Sequence, residues 1–172
     1  NFAAAMLWLA QQGVPAKFDC LELGSSAGIN LMMDRYAFDL GGVRFGPKDA
    51  VMTLTPQWRG APPPSHTVEI AGTRGCDIAP VDLTDPKQAL RLKAYIWPEF
   101  TVRFDRLAAA ISSAQEKPPA IVRAHGADFL EAELGKQQAQ NTTRMVMHSV
   151  VWQYIPPLEQ ERITTLMENA GD

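Results

Sequence analysis

The chain has few cysteines, few histidines and no excess of positive charge. Its 172 residues include two cysteines and three histidines, too few for a disulfide framework, and no group of Cys, His and acidic residues has the spacing of metal ligands. Lys and Arg total 16 against 19 for Asp and Glu, which leaves a formal net charge of −3. No apolar run approaches the roughly 20 residues of a membrane span. We therefore predict no metal, no nucleic acid and no membrane as partners.

The chain also lacks the pattern of a secretory signal peptide, which favours a cytoplasmic protein. Cys20 and Cys76 both lie in strand-like apolar runs, which indicates reduced, buried thiols. A hydrophobic fraction of 46% is enough for one globular core, so we predict a single domain over residues 1–172. Because the net charge disfavours nucleic acid, we predict a small molecule as the partner. Both chain ends fall in helix-like patterns, as expected of a fragment that lacks the last strands of its fold. Nothing in the composition predicts an oligomeric state.

A short apolar run followed by a glycine-bounded turn stands out at residues 18–30, FDCLELGSSAGIN. The run predicts a buried strand, and Gly24 and Gly28 allow a sharp turn and a close approach of the backbone to a ligand. A helix is expected to follow and to continue over residues 29–35. Its N-terminus near Ser26 would offer free N–H groups and partial positive charge to a carboxylate or phosphate.

Strand-like and helix-like segments alternate four times along the chain. The predicted strands cover residues 18–23, 75–77, 120–124 and 144–154, and the predicted helices cover residues 2–12, 29–35, 85–115 with a break at Pro98, 128–134, and the segment from Pro157 onward. Residues 36–70 show short alternating pieces separated by Gly and Pro, which predict an insertion of β-hairpins without a helix. This alternation is typical of an α/β fold with a mainly parallel sheet and helices on both faces.

Polar side chains lie at or just after the ends of the predicted strands. In open parallel sheets, ligands bind outside the carboxyl ends of the strands. Glu22 is near the end of the first strand, Asp77 ends the second, Asp128 follows the third, and His148 with Ser149 belongs to the fourth. Because an acid at the second strand can accept hydrogen bonds from both hydroxyls of a ribose, we predict a nucleoside ligand with a charged tail.

The glycine turn also permits a hydrolase interpretation. GSSAG at residues 24–28 matches GxSxG, the nucleophile elbow of α/β-hydrolases, with Ser26 as the nucleophile of an esterase. His125 and His148 lie downstream, where that mechanism needs a histidine. Against this interpretation, only a helix precedes the elbow strand, and Glu22 stands where an apolar residue is expected.

Several motifs resemble those of a known superfamily. ELGSSAG resembles the first motif of class I S-adenosylmethionine-dependent methyltransferases, GCDIAP their second-strand motif, AHGADFL the turn after their third strand, and VMHSVVWQYIPP their fourth strand and its turn. The combination of LELGSSAGINLMMDRY, WRG, GCDIAPVDLTDP, YIWPE and MHSVVWQYIP is similar to the bacterial family catalogued as domain of unknown function 2332. This resemblance extends over nearly the whole chain.

The resemblance implies a Rossmann-like, methyltransferase-type fold that binds S-adenosylmethionine and methylates an unknown small molecule. It implies cofactor contacts from Glu22, Gly24, Ser25, Ser26, Gly28, Asn30, Asp77, Asp128, His148 and Ser149, with Asp77 on the ribose and Asp128 near the adenine amino group. His148 is the first candidate for a catalytic base and Tyr154 the second. A non-catalytic methyltransferase-like binding module, whose insertion at 36–70 contacts another protein, is the remaining alternative.

Overall fold

A computed structural model describes residues 1–171. Its helices are α1 Phe2–Gln11, α2 Pro86–Lys93, α3 Thr101–Glu116, α4 Gly126–Leu134 and α5 Pro157–Gly171, with short 3-10 helices at Asn30–Arg35 and Val151–Tyr154. Its strands are β1 Lys17–Leu23, β2 Tyr36–Leu40, β3 Val43–Phe45, β4 Met52–Leu54, β5 Glu69–Asp77, β6 Ile121–Arg123 and β7 Thr143–Met147. The predicted alternation of strands and helices is confirmed.

The main sheet consists of four parallel strands in the order β6-β5-β1-β7. By position in the chain, these are the third, second, first and fourth strands of the sheet. This order is that of the first four strands of a doubly wound α/β sheet, in which the strand order reverses beside the first strand. The reversal places the expected ligand site at the carboxyl end of β1.

Side chains of β1 alternate between two hydrophobic layers, because successive residues of a strand point to opposite faces. Phe18 and Cys20 pack in the layer that contains residues of α1, α2 and α3. Leu21 and Leu23 pack in the other layer, with residues of α4 and α5. Burying each large apolar side chain contributes about 1.5–3 kcal/mol. Helices on both faces of a parallel sheet are thus confirmed.

A separate small sheet, in the order β3-β2-β4, forms from the predicted insertion. Gly41 and Gly42 connect β2 to β3 with φ angles of 68° and 95°, and a two-residue hairpin turn with two positive φ angles is of type I′. Phe38 and Phe45 stack across this hairpin with ring centroids 5.3 Å apart. The helix-free insertion is confirmed, but its predicted last residues, 69–70, begin β5 of the main sheet.

The helix predicted over residues 29–35 forms, but it is not an α-helix. The segment is the 3-10 helix Asn30–Arg35, and Met32 leaves helical geometry at φ −98° and ψ 16°. Such helices are short because their hydrogen bonds are poorly aligned. The turn therefore does not lead into an α-helix, and the predicted helix N-terminus near Ser26 is absent from the described residues.

Two other predicted boundaries need correction. The strand predicted over 144–154 ends at Met147, and its last part is the 3-10 helix Val151–Tyr154. The helix predicted to continue from 85 to Pro98 ends at Lys93. Its start is confirmed, because the Lys87 N–H donates to the Asp85 side chain at 2.8 Å.

Cys20 and Cys76 are buried and unpaired, as predicted. Burial raises the pKa of Cys20 to about 12 and that of Cys76 to about 11, so both thiols are protonated at neutral pH. Across residues 1–171, no helix combines the length and apolar character required to cross a membrane.

Candidate functional site

A cleft of about 250 Å³ lies at the carboxyl ends of β1, β5 and β6, and we call it the strand-end cleft. Gly24, Asp77, His125 and Tyr154 are among its lining residues, and most of its surface is apolar. Its position matches the place where doubly wound sheets bind ligands. Its volume is just below the roughly 300–1,000 Å³ typical of small-molecule sites.

Asp77 joins the end of β5 to the glycine turn, residues 24–28. The Ser26 N–H donates to Asp77 Oδ2 at 2.8 Å, and the Ala79 N–H donates to Asp77 Oδ1 at 2.8 Å. A carboxylate has about four acceptor positions, so each oxygen retains capacity for a further hydrogen bond. Asp77 therefore holds the turn in place and can still accept hydrogen bonds from a ligand.

Two further N–H groups of the glycine turn are also paired within the protein. The Ser25 N–H donates to Cys76 O at 2.9 Å, and the Gly28 N–H donates to Ser25 O at 2.7 Å. These donors are satisfied without a ligand, unlike the free N–H groups expected from the sequence.

Gly24 and Gly28 allow other segments to pack directly on the turn. Both have positive φ angles, 67° and 68°. A Cβ added to Gly24 would lie 2.5 Å from Val151 Cγ2, and one added to Gly28 would lie 2.7 Å from Ile121 Cδ1. Since real Cβ atoms do not approach neighbours so closely, these glycines are needed for packing within the chain. Val151 covers the position at which Gly24 was expected to face a cofactor.

Glu22 is a buried carboxyl on β1, with 1% of its surface exposed. Asn30 Nδ2 donates to Glu22 Oε1 at 2.6 Å, whereas Oε2 has no hydrogen-bond partner among the described residues. Burial raises the pKa of Glu22, and the hydrogen bond from Asn30 opposes that rise. Because strand side chains alternate, Glu22 lies on the opposite face from Leu23, which lines the cleft.

Replacing Glu22 with glutamine is expected to raise the free energy of unfolding at pH 7 by about 1 kcal/mol, because desolvating a charged group costs more than desolvating a neutral amide. The amide oxygen can keep the bond from Asn30, and the buried charge is removed. A carboxyl whose pKa is raised on folding contributes stability below its unfolded pKa, and that contribution is lost as pH rises through the folded value.

Urea denaturation between pH 4.5 and 8 checks this expectation. The stability of the wild type should decrease relative to Glu22→Gln as pH rises. Glu133→Gln is the matched control, because the pKa of Glu133 is lowered rather than raised and the substitution should reduce stability at pH 7. A Glu22→Gln variant less stable than wild type at pH 7 would contradict the argument.

His148, Ser149 and Tyr154 do not come together at the cleft. His148 and Ser149 are exposed just beyond β7, and the His148 ring stacks on Trp152 with centroids 5.3 Å apart. Tyr154 lines the cleft while 75% of its surface remains exposed. Of these three residues, only Tyr154 is in position to touch a ligand in the cleft.

Asp128 lies outside the cleft lining. It belongs to the first turn of α4, which begins at Gly126 instead of the predicted Asp128. Its Oδ1 accepts a hydrogen bond from Arg162 Nη1 at 2.6 Å, which ties α4 to α5. In the structure, Asp128 therefore connects α4 to α5 and does not line the strand-end cleft.

A histidine–glutamate pair at the cleft was missed by the sequence interpretation. His125 Nδ1 lies 3.5 Å from Glu159 Oε2, and both residues line the cleft. Glu159 Oε1 also accepts the Ala127 N–H at 3.4 Å. The position of His125 directly after the third predicted strand was a usable signal. No sequence spacing indicated Glu159, which comes from α5.

One feature of the structure supports the hydrolase interpretation, and a second feature that it requires is missing. Ser26 is exposed and has a φ of 52°, the kind of strained backbone found at a nucleophile elbow. Within residues 1–171, however, no histidine forms a hydrogen bond with the Ser26 hydroxyl. The structure therefore offers no Ser–His pair for the esterase mechanism.

The fold and the cleft define an α/β protein with a doubly wound parallel sheet and a small strand-end site. A family model described as "Uncharacterized protein conserved in bacteria (DUF2332)" matches residues 1–172, and the chain belongs to this family. No curated protein and no solved structure matches the chain significantly. The family resemblance is thus confirmed.

Proposed function

We propose that this protein is an S-adenosylmethionine-dependent methyltransferase-like protein that acts on a small molecule, with its cofactor site in the strand-end cleft. One observation carries the proposal: the sheet order brings Gly24 and the Asp77 carboxylate to the same cleft, beside the point where the strand order reverses. Doubly wound sheets bind nucleotides at this point.

The residues of the cleft fit the nucleoside part of such a cofactor. Asp77 retains acceptor positions for ribose hydroxyls. Ile78, which follows Asp77 and is 65% exposed, offers an apolar surface to a purine ring. The cleft is small, so accommodation of the whole cofactor requires displacement of the 3-10 helix Val151–Tyr154, which covers Gly24.

When bound, S-adenosylmethionine supplies an electrophilic methyl group, and the protein's task is to orient the acceptor and accept a proton where one is released. His125 and Tyr154 line the cleft and are the side chains placed for that proton transfer. Glu159 Oε2 lies 3.5 Å from His125 Nδ1 and can orient the imidazole ring toward the cleft. His148 does not line the cleft and is therefore a weaker candidate for the proton acceptor than His125 or Tyr154.

Titration calorimetry with S-adenosylmethionine and S-adenosylhomocysteine tests the proposal. We expect the wild type to bind both, and Asp77→Ala to bind at least about tenfold more weakly, because charge-assisted hydrogen bonds contribute about 1.5–3 kcal/mol. Asp77→Asn removes the charge and can keep only one of the two backbone hydrogen bonds that Asp77 accepts, because one carboxylate oxygen becomes an amide NH2 group. Asp49→Ala, which removes an exposed acid of the insertion, is the charge-matched control and should bind normally.

Absence of binding at millimolar ligand, with a protein shown to be folded by its thermal transition, would reject the cofactor proposal. Equal affinity of Asp77→Ala and wild type would show that a ligand binds elsewhere.

A non-catalytic binding module is the second candidate, and the packing of the turn favours it. Val151 covers Gly24, and the N–H groups of Ser25, Ser26 and Gly28 are satisfied within the chain. If Val151→Ala gained cofactor affinity that the wild type lacks, the wild-type turn would be a closed remnant of a cofactor site. Tight binding of S-adenosylmethionine by the wild type would show that the turn is open to the cofactor and would reject this candidate.

A further inference from the structure

A second and larger cavity, of about 480 Å³, lies on the other side of the main sheet, next to α3; we call it the α3 cavity. Its lining is mostly apolar and includes Phe2, Met33, Phe38, Met52, Leu54 and Leu107. Its volume is within the roughly 300–1,000 Å³ typical of small-molecule sites. Among residues 1–171, it shares no lining residue with the strand-end cleft. It is therefore a separate candidate site.

The charged groups of the α3 cavity are all positive. Arg103 and Arg106 line it, and none of its described lining residues is Asp or Glu. Neither guanidinium forms a salt bridge within the described chain. Arg103 instead lies over the Phe100 ring, 5.0 Å from its centroid. The cavity thus combines a mostly apolar lining with two guanidinium groups that have no acidic partner in the described chain.

We infer that the α3 cavity binds an apolar carboxylate, with the hydrocarbon part among Met33, Met52 and Leu54 and the carboxylate on Arg103 and Arg106. Guanidinium groups pair with carboxylates through parallel hydrogen bonds. Each methylene group buried in the cavity should increase affinity about fourfold. The inference does not depend on the cofactor proposal, since the two sites lie on opposite faces of the sheet.

Calorimetry with octanoate, hexanoate, 1-octanol and octylamine tests the ligand class. We expect octanoate to bind about tenfold or more tightly than hexanoate, because two methylene groups are added. We expect it to bind at least about tenfold more tightly than octanol or octylamine, which have no negative charge and cannot form the paired hydrogen bonds of a carboxylate with a guanidinium group. Absence of octanoate binding at millimolar concentration, or equal binding of octanol and octanoate, would overturn the inference.

A double variant tests the two arginines. Arg103→Ala with Arg106→Ala should weaken octanoate binding at least about tenfold and leave octanol binding unchanged. Lys87→Ala with Arg91→Ala is the control, because it removes the same charge from exposed positions of α2 that do not line the cavity. Equal losses of octanoate affinity in both double variants would show that the effect comes from net charge alone and would reject the site.

Methionine methyl NMR locates the ligand independently of any substitution. Met33 and Met52 line the cavity, whereas Met167 lies on α5. Octanoate should shift the methyl signals of Met33 and Met52 and leave that of Met167 in place. A shift at Met167 without shifts at the other two would place the ligand elsewhere and reject the inference.

Discussion

Replacing Arg74 with methionine is expected to lower the free energy of unfolding at pH 7 by about 3 kcal/mol, a large share of the roughly 5–15 kcal/mol that stabilises a typical domain. Arg74 Nη1 and Nη2 lie 2.5 and 3.0 Å from the two Asp19 carboxylate oxygens, and Nε lies 2.5 Å from Glu133 Oε2. Methionine fills a similar volume but leaves both acids without this partner. Lys136 and Arg144 remain near them, which keeps the loss at the lower end of the usual range.

The loss of stability in Arg74→Met should depend on pH. Partial burial disfavours the charged form of Glu133, but hydrogen bonds from Lys136 and Arg74 outweigh burial and hold its pKa below the usual 4.5. A carboxyl with a lowered pKa contributes stability above its unfolded pKa and loses it as pH falls through the folded value. The difference between wild type and Arg74→Met should therefore shrink on acidification below pH 4.5.

Urea denaturation at pH 7 and at acidic pH measures both effects. The control is Arg44→Met, which removes a similar ion pair with Asp39 at the surface, where Arg44 is 85% exposed. Exposed pairs contribute about 0–1 kcal/mol, so this control should be nearly neutral. An Arg74 variant as stable as the Arg44 variant would show that the Arg74 network contributes little.

Replacing Gly24 with alanine is expected to destabilise the protein by about 2–5 kcal/mol. A left-handed backbone costs an alanine about 1–2 kcal/mol, and overpacking against Val151 adds about 1–3 kcal/mol. The positive φ of 67° and the close approach of Val151 both contribute. Thermal and urea denaturation measure the loss.

Two further variants separate these contributions. Gly13→Ala is the control for the backbone contribution, because Gly13 also has a positive φ but has no atom within 4 Å of an added Cβ. Gly24→Ala combined with Val151→Ala should be less destabilised than the sum of the single effects, since the smaller side chain leaves room. Strict additivity would show that Val151 does not clash with residue 24.

Local signals in the sequence were sufficient to predict β1, the end of β5 and the start of α2. The apolar run of β1, the acid at the end of β5, and the cap of α2 by Asp85 before Pro86 each have a short-range physical cause. The parallel sheet with helices on both faces followed from the alternation, because parallel strands require crossover connections. The resemblance to methyltransferase motifs added the expected site residues, of which Gly24, Asp77 and Tyr154 line the strand-end cleft.

Contacts between distant segments could not be predicted in the same way. The run around His148 is rich in β-branched and aromatic residues, so its propensity favours a strand through Tyr154. Tertiary packing overrides that propensity and forms a 3-10 helix with Val151 on Gly24. The pairing of His125 with Glu159 likewise depends on how α5 returns to the sheet.

The central position of β1 also has a consequence for folding kinetics. Phe18 pairs with Ile70 on one side and with Thr143 on the other, so β1 acquires its neighbours only after long stretches of chain have been brought together. The β2–β3 hairpin, by contrast, pairs Leu40 with Val43 and forms locally. Because closing long loops is entropically costly and slows folding, the small sheet is expected to nucleate early, with β7 docking last.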